Sequence, residues 1–352
     1  MARRTRVTEN VEIDRVEGAP HPRETMRLAG QDAALAVVSR ALRSRRPPQA
    51  WLICGPPGVG KATLAYRIAR YVLAYGATDK GPADLSVPAK DSAAVQVAAG
   101  SHPGLLVLKR GLHPDTGKLM NVLSVEEVRK LTGFFGMTSG AGGWRVVIVD
   151  TADDMNENAA NALLKLLEEP PSRAMLLLLS NTPGRLLPTI RSRCQSLRLK
   201  LLGEAEMDAE LAALLPDTPA KDRMALARLA GGSLGAALRL AGGDGLALAA
   251  EADKLIDAAA APDIRALSAL SDKLARITDG LDLLGGFLAQ MLAERIRAKA
   301  LAGQKRLDKW VEAHEKLRRS FARTDALHLD PRTTLLSAAR ELNGAARRAG
   351  TV

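Results

Sequence analysis

Four short, uninterrupted apolar runs stand out in the first half of the chain: Trp51–Cys54, Leu105–Leu108, Val146–Val149 and Met175–Leu179. Runs that do not alternate with polar residues suit parallel strands covered on both faces. Helical patterns separate most of them, at 62–75, 124–135 and 156–169, so the pattern predicts a doubly wound α/β sheet. Ahead of the first run, Leu28, Ala34, Leu35, Val38 and Leu42 recur at helical spacing and predict a helix from Arg23 to Arg46, ended by Pro47 and Pro48. The stretch between Tyr75 and Gly100 is rich in Ala, Asp, Pro and Gly and reads as a surface insertion. After Leu199 the strand-like runs stop and Ala/Leu periodicity takes over. The expected organisation is a loose arm over 1–22, an α/β domain over 23–200, a small helical domain over 201–250 and an all-α domain over 251–352.

Composition agrees with a multi-domain helical and α/β protein. The chain has 352 residues, 47% of them hydrophobic, and only four Phe, three Trp and three Tyr. The formal net charge is +11. A polyanion partner such as nucleic acid accounts for that excess, and so does an Arg-rich proteome; charge alone does not choose. Residues 291–352 carry 14 Lys/Arg against 7 Asp/Glu, which reads first as solvated helix face and second as a phosphate contact. With so few aromatic residues there is no platform for stacking on bases, so any DNA contact would track the backbone. Cys54 and Cys194 are far apart in sequence and form neither a disulfide framework nor a metal-binding cluster. No apolar run is long enough to span a membrane. Arg3, Arg4 and Arg6 are followed by acidic residues rather than an apolar core, so a cytoplasmic location is expected.

The candidate chemistry begins directly after the first apolar run. Gly55-Pro56-Pro57-Gly58-Val59-Gly60-Lys61-Ala62 joins the first strand to a helix. In such a loop, glycines let backbone N–H groups turn inward around phosphate oxygens, the helix N-terminus adds a favourable dipole, and the lysine reaches the outer phosphates. Gly55, Gly58, Val59, Gly60, Lys61, Ala62 and Thr63 are therefore the candidate nucleotide-binding residues. One position departs from the motif. A hydroxyl should follow the lysine to coordinate Mg²⁺, but Ala62 stands there, and Thr63 lies about 100° further round the helix. A second departure follows the third strand. Asp150 ends it, as a Mg²⁺-holding carboxylate should, but the next residue is Thr151 and not a water-activating glutamate. Asp153 and Asp154, three or four residues on, belong to the following turn and read as starting or capping the helix before Asn156. The pair of defects predicts a site that can hold ATP or ADP without hydrolysing it, with Mg²⁺ poorly held.

Two further segments carry a resemblance. Asn161-Ala162-Leu163-Leu164-Lys165-Leu166-Leu167-Glu168-Glu169-Pro170-Pro171, followed by Leu186-Leu187-Pro188-Thr189-Ile190-Arg191-Ser192-Arg193-Cys194, resembles the clamp-loader branch of the AAA+ ATPases. The resemblance covers roughly 23–240 through specific motifs and the remainder only by helical character. It implies an AAA+ phosphate-loop domain with a parallel sheet, followed by a small helical lid and an all-α C-terminal collar that mediates oligomerisation. It also implies that Arg193 is an arginine finger reaching the ATP of an adjacent motor subunit; from spacing alone, a salt bridge at the sheet edge would be the first reading. Ser180-Asn181 occupies the family's sensor position.

Motor members of the family carry a lid arginine in a Gly-Ser-x-Arg pattern, whereas this chain reads Gly232-Ser233-Leu234-Gly235. Arg239, a helical turn on, reads as a surface residue. Ala62, Thr151 and Gly235 thus point to a non-motor subunit without intrinsic ATPase, and against a self-sufficient ATPase such as a motor or helicase loader. The implied partners are tau/gamma and delta clamp-loader subunits in a hetero-oligomer, with the sliding clamp and primed DNA met through the complex. The whole would act as a component of a DNA polymerase III holoenzyme. Many relatives carry a four-cysteine zinc module after the phosphate loop, but 76–104 contains no cysteine. His102 and His113 alone make a poor zinc site, so no zinc and no other metal is expected.

Overall fold

A computed structural model describes residues 16, 19–111, 120–136, 143–277, 279–327, 330–350 and 352. The chain forms two compact units, Met1–Leu238 and Arg239–Val352.

In the first unit, α1 (Asp32–Leu42) precedes β1 (Ala50–Cys54), and α2 (Lys61–Tyr75) follows it. Next come α3 (Ser92–Ala98), β2 (Leu105–Lys109), α4 (Val125–Gly136), β3 (Arg145–Asp150), α5 (Glu157–Glu168), β4 (Ala174–Ser180), α6 (Pro188–Arg193) and β5 (Gln195–Arg198). Helices α7 (Glu204–Leu214), α8 (Ala220–Ala230) and the start of α9 (Leu234–Ala241) complete it. The strands form one parallel sheet in the order β2-β3-β4-β1-β5. Each central strand sends alternate side chains into two apolar layers. Trp51, Ile53, Val146, Ile148, Met175, Leu177 and Leu179 join the layer containing α1, α2 and α3. Leu52, Cys54, Val147, Val149, Leu176 and Leu178 join the layer containing α4, α5 and α6. This two-sided burial is why these strands read as continuous apolar runs.

Helices α2, α4 and α5 and strands β1–β4 stand where the pattern puts them, but other expectations are corrected. The first helix begins at Asp32, not Arg23, because Gly30 takes a left-handed φ of +62° and breaks the helical path. Leu28 therefore lies outside the helix and packs against the core from a loop. The stretch expected as a surface insertion is mostly exposed or half-buried but is anchored in the core, where Leu85, Val87, Ala94 and Val97 are buried beside α2. A seven-residue helix and an irregular segment are too short to show periodicity. Of the expected arm, residues 1–15, 17 and 18 lie outside the described residues. His21 belongs to the body, buried with its ring edge-on to Tyr66. Strand β5 was not anticipated: three of its four residues are exposed, which hides an edge strand from any apolar pattern.

The second unit contains the end of α9, then α10 (Gly245–Asp257), α11 (Ile264–Leu274), α12 (Gly280–Leu301), α13 (Asp308–Leu327) and α14 (Pro331–Ala349). The boundary expected at 250/251 falls inside α10, which packs on α12 and is clasped to it by Arg295 bridging Asp253 and Asp257, both at 2.6 Å. Helix α13 approaches α12 closely at Gly285, where a Cβ would lie 2.5 Å from the Phe321 ring. Trp310 is fully buried and donates its indole N–H to the Gly350 carbonyl at 3.0 Å.

Candidate functional site

The glycine-rich loop leaves the carboxyl end of β1, the strand between β4 and β5, and runs into α2. That end of a parallel sheet is where open α/β folds place ligands. Gly58 and Gly60 have φ of +75° and +97°, which side chains resist. Space excludes side chains as well, since a Cβ at Gly58 would meet Ser233 Oγ at 2.5 Å and one at Gly60 would meet Leu28 Cδ1 at 2.9 Å. Val59 turns its side chain into the core.

Lys61 is nearly buried, with 8% exposure. Its Nζ donates to the carbonyls of Gly55 at 2.8 Å and Pro56 at 2.7 Å. Burial lowers its pKa to about 8, against the opposing pull of Asp150 and Asp153. The loop backbone and the lysine fit phosphate oxygens. The position after the lysine offers no magnesium ligand, because Ala62 has no hydroxyl and its methyl packs on the core, while Thr63 follows it half-buried.

Asp150 ends β3 as expected, and the Thr151 hydroxyl donates to its Oδ1 at 3.3 Å. The neighbouring aspartates lie in a short 3-10 turn, Ala152–Asp154, ahead of Asn156 as expected, but they do not cap the next α-helix. Asn156 does so, accepting the Ala159 N–H at 2.8 Å. Asp153 instead ties the end of β3 to the segment after β4: Oδ1 accepts the Ser180 hydroxyl at 2.6 Å, and Oδ2 accepts the N–H groups of Asn181 at 2.5 Å and Thr182 at 3.0 Å. Asp154 pairs with Arg110 at 3.2 Å. Ser180 is thereby held through its hydroxyl, and Asn181 and Thr182 through their backbone N–H groups, by a side chain from the turn that follows β3. No local sequence signal announces this, because the partners are 27 to 29 residues apart.

The start of α9 rests on the phosphate loop. Ser233 Oγ donates to the Pro57 carbonyl at 2.8 Å and accepts the Ala236 N–H at 3.2 Å, while the Gly235 N–H donates to the Gly58 carbonyl at 2.9 Å. A Cβ at Gly235 would stand 2.8 Å from Gly58 Cα. So Gly235 marks more than a missing arginine: it permits backbone-to-backbone contact. Arg239 is exposed, as expected of a surface residue.

Arg193 ends α6 at the edge of the sheet, with its side chain 36% exposed. Its Nη2 contacts Glu168 Oε1 at 2.7 Å, and Nη1 donates to the Thr189 carbonyl at 3.1 Å. The salt bridge that spacing suggested is therefore present. Beside it, burial pushes the Cys194 thiol up to about 12 and raises that of Cys54. In the segment after α2, His102 uses its Nδ1 to accept the Gly104 N–H at 3.0 Å, and burial lowers its pKa. His113 lies outside the described residues.

A phosphate loop at the end of β1, an acidic residue closing β3 and a helix resting on the loop define an α/β phosphate-loop domain with a parallel sheet, followed by a helical C-terminal region. Residues 30–203 match the family described as DNA polymerase III, delta subunit. The chain is 42% identical over 193 residues to DNA polymerase III subunit delta' of Pseudomonas aeruginosa, covering 55% of this chain and 56% of that one. It is 36% identical over 201 residues to the Escherichia coli subunit delta', covering 56% of each. Against DNA polymerase III subunit tau/gamma of Haemophilus influenzae it is 27% identical over 225 residues, covering 62% of this chain and 30% of that one. The matched region is delta-prime-like. The match spans little more than half the length of the delta' relatives.

Proposed function

We propose that the chain acts as the delta-prime-type, non-motor subunit of a DNA polymerase III clamp loader. In that role it assembles with tau/gamma and delta subunits and presents Arg193 to the ATP of a neighbouring motor subunit. The sliding clamp and primed DNA are met through the complex. The observation that carries the reading is a contrast between two sites in one domain. The chain's own phosphate loop keeps Lys61 but has Ala62 and Thr151 where metal-assisted hydrolysis needs a hydroxyl and a glutamate. Arg193, by contrast, stands partly exposed at the sheet edge. A guanidinium can stabilise charge developing on a transferring phosphoryl group without further catalytic equipment in its own chain.

Nucleotide at the chain's own loop, where bound, is held by the loop N–H groups and Lys61 and is not turned over. Mg²⁺ contributes little there, and zinc has no part in this reading, because His102 already spends one ring nitrogen on the backbone. A self-sufficient ATPase is disfavoured by the same Ala62, Thr151 and Gly235.

The test is steady-state ATPase with and without primed DNA. The isolated chain should show no turnover, and clear turnover abolished by Lys61→Ala would sink the proposal. In a reconstituted complex, Arg193→Ala should leave assembly intact and cut DNA-stimulated hydrolysis. Arginine fingers dissected in GTPases are worth on the order of 10³–10⁵ in rate, so wild-type activity in that variant refutes the assignment.

A further inference from the structure

Glu168 and Arg193 lie on different helices, 25 residues apart, and meet at 2.7 Å. Glu168 is the last residue of α5, and Glu169 follows before Pro170. Carboxylates at a helix C-terminus oppose the helix dipole, so local helix energetics give no reason for an acidic pair there. Nor does burial, since the Glu168 side chain is 49% exposed. What the position does provide is a carboxylate beside the guanidinium of Arg193.

Arg193 is held at two of its nitrogens. The Thr189 carbonyl takes Nη1 from within α6, and Glu168 takes Nη2 from α5. The contacts leave the Nε–H and the second hydrogen of each terminal nitrogen for an incoming anion. A long arginine loses considerable rotamer freedom when it engages a phosphate, and a side chain already restrained in place has less to lose. The pair is solvated enough to be weak, so it does not compete with a multiply charged phosphate.

We infer that Glu168 is a positioning residue for Arg193, fixing the guanidinium before it meets the neighbouring subunit's nucleotide. This inference rests on the proposed role of Arg193. Glu168 itself touches no substrate in this scheme. Because the finger acts on charge that develops in the transition state, loss of its positioning lowers kcat and leaves the KM for ATP unchanged.

The experiment is DNA-stimulated ATPase of the reconstituted complex carrying Glu168→Gln, Glu168→Asp, Arg193→Ala, or Glu168→Gln with Arg193→Ala. Glu168→Gln is expected to lower kcat about two- to fivefold, the range an exposed ion pair allows, with KM unchanged. Glu168→Asp should fall between it and the wild type. In the Arg193→Ala background, Glu168→Gln should have no further effect. An unchanged or raised kcat in Glu168→Gln, with Arg193→Ala strongly impaired, overturns the positioning role alone. So does an equal loss in both backgrounds, which would mean that Glu168 acts elsewhere. Wild-type activity in Arg193→Ala overturns both this inference and the finger it depends on.

Discussion

Substituting Gly235 by Ala adds one methyl group at the first turn of α9, where helix propensity by itself favours the change. Gly→Ala at a compatible helical site stabilises by about 0.4–1 kcal/mol, mostly by restricting the unfolded chain. The structure reverses the sign. The new Cβ would lie 2.8 Å from Gly58 Cα and 3.0 Å from Gly58 O, and both are backbone atoms that no rotamer change can move. Relief requires α9 to lift from the phosphate loop, which lengthens the Gly235 N–H bond to Gly58 O, now 2.9 Å, and strains the Ser233 bond to Pro57 O at 2.8 Å. Overpacking of this kind costs about 1–3 kcal/mol, and a weakened hydrogen bond adds about 0.5–1.5 kcal/mol. Set against the propensity gain, the net is a destabilisation of about 1–3 kcal/mol. Gly344, inside α14, is the control, because a Cβ there meets nothing within 4 Å. Gly344→Ala should stabilise by about 0.5–1 kcal/mol. Urea unfolding of the full chain, read by hydrogen exchange over residues 55–62 and over α14, separates the two units and avoids assuming one transition. If Gly235→Ala proves as stable as the wild type around the loop, the lid does not rest on Gly58 as described.

Two other outcomes follow from the ionisable groups. The folded pKa of Lys61 is lowered to about 8, below its ordinary value of 10.5. Between these values the unfolded chain binds more protons than the folded one, so stability should rise with pH from about 8 to 10.5 through this group. The difference in urea midpoint between wild type and Lys61→Met should therefore grow in the wild type's favour over that window, and a flat difference would refute the shift. With the Cys194 thiol pushed up to about 12 and Cys54 buried, a chromogenic disulfide reagent at pH 8 should react with both thiols only after unfolding. Rapid native labelling would refute that placement.

The β1–β4 strands and the glycine loop were readable because their causes are local or repetitive. A strand covered on both faces must be apolar throughout, and a phosphate loop must place glycines and a lysine at set intervals. The core anchors of the irregular 76–100 segment are hidden for the complementary reason. Leu85, Val87, Ala94 and Val97 are buried individually by contact with α2, and no period runs through them. Likewise, Gly30 ended the first helix early by adopting a backbone conformation that hydrophobic spacing does not encode.

The sequence by itself determined the sheet-forming runs, the phosphate loop and the residues Ala62, Thr151 and Gly235 that stand where the resemblance expects a hydroxyl, a glutamate and an arginine. Only the tertiary structure decided what those altered positions and their neighbours do instead. Ala62 packs into the core, Gly235 lets the lid touch the loop backbone, Asp153 clamps Ser180–Thr182, and Glu168 holds Arg193. The physical reason is range: glycine spacing and apolar runs act within one element. A hydrogen bond or ion pair between elements depends on where the packed core places both partners.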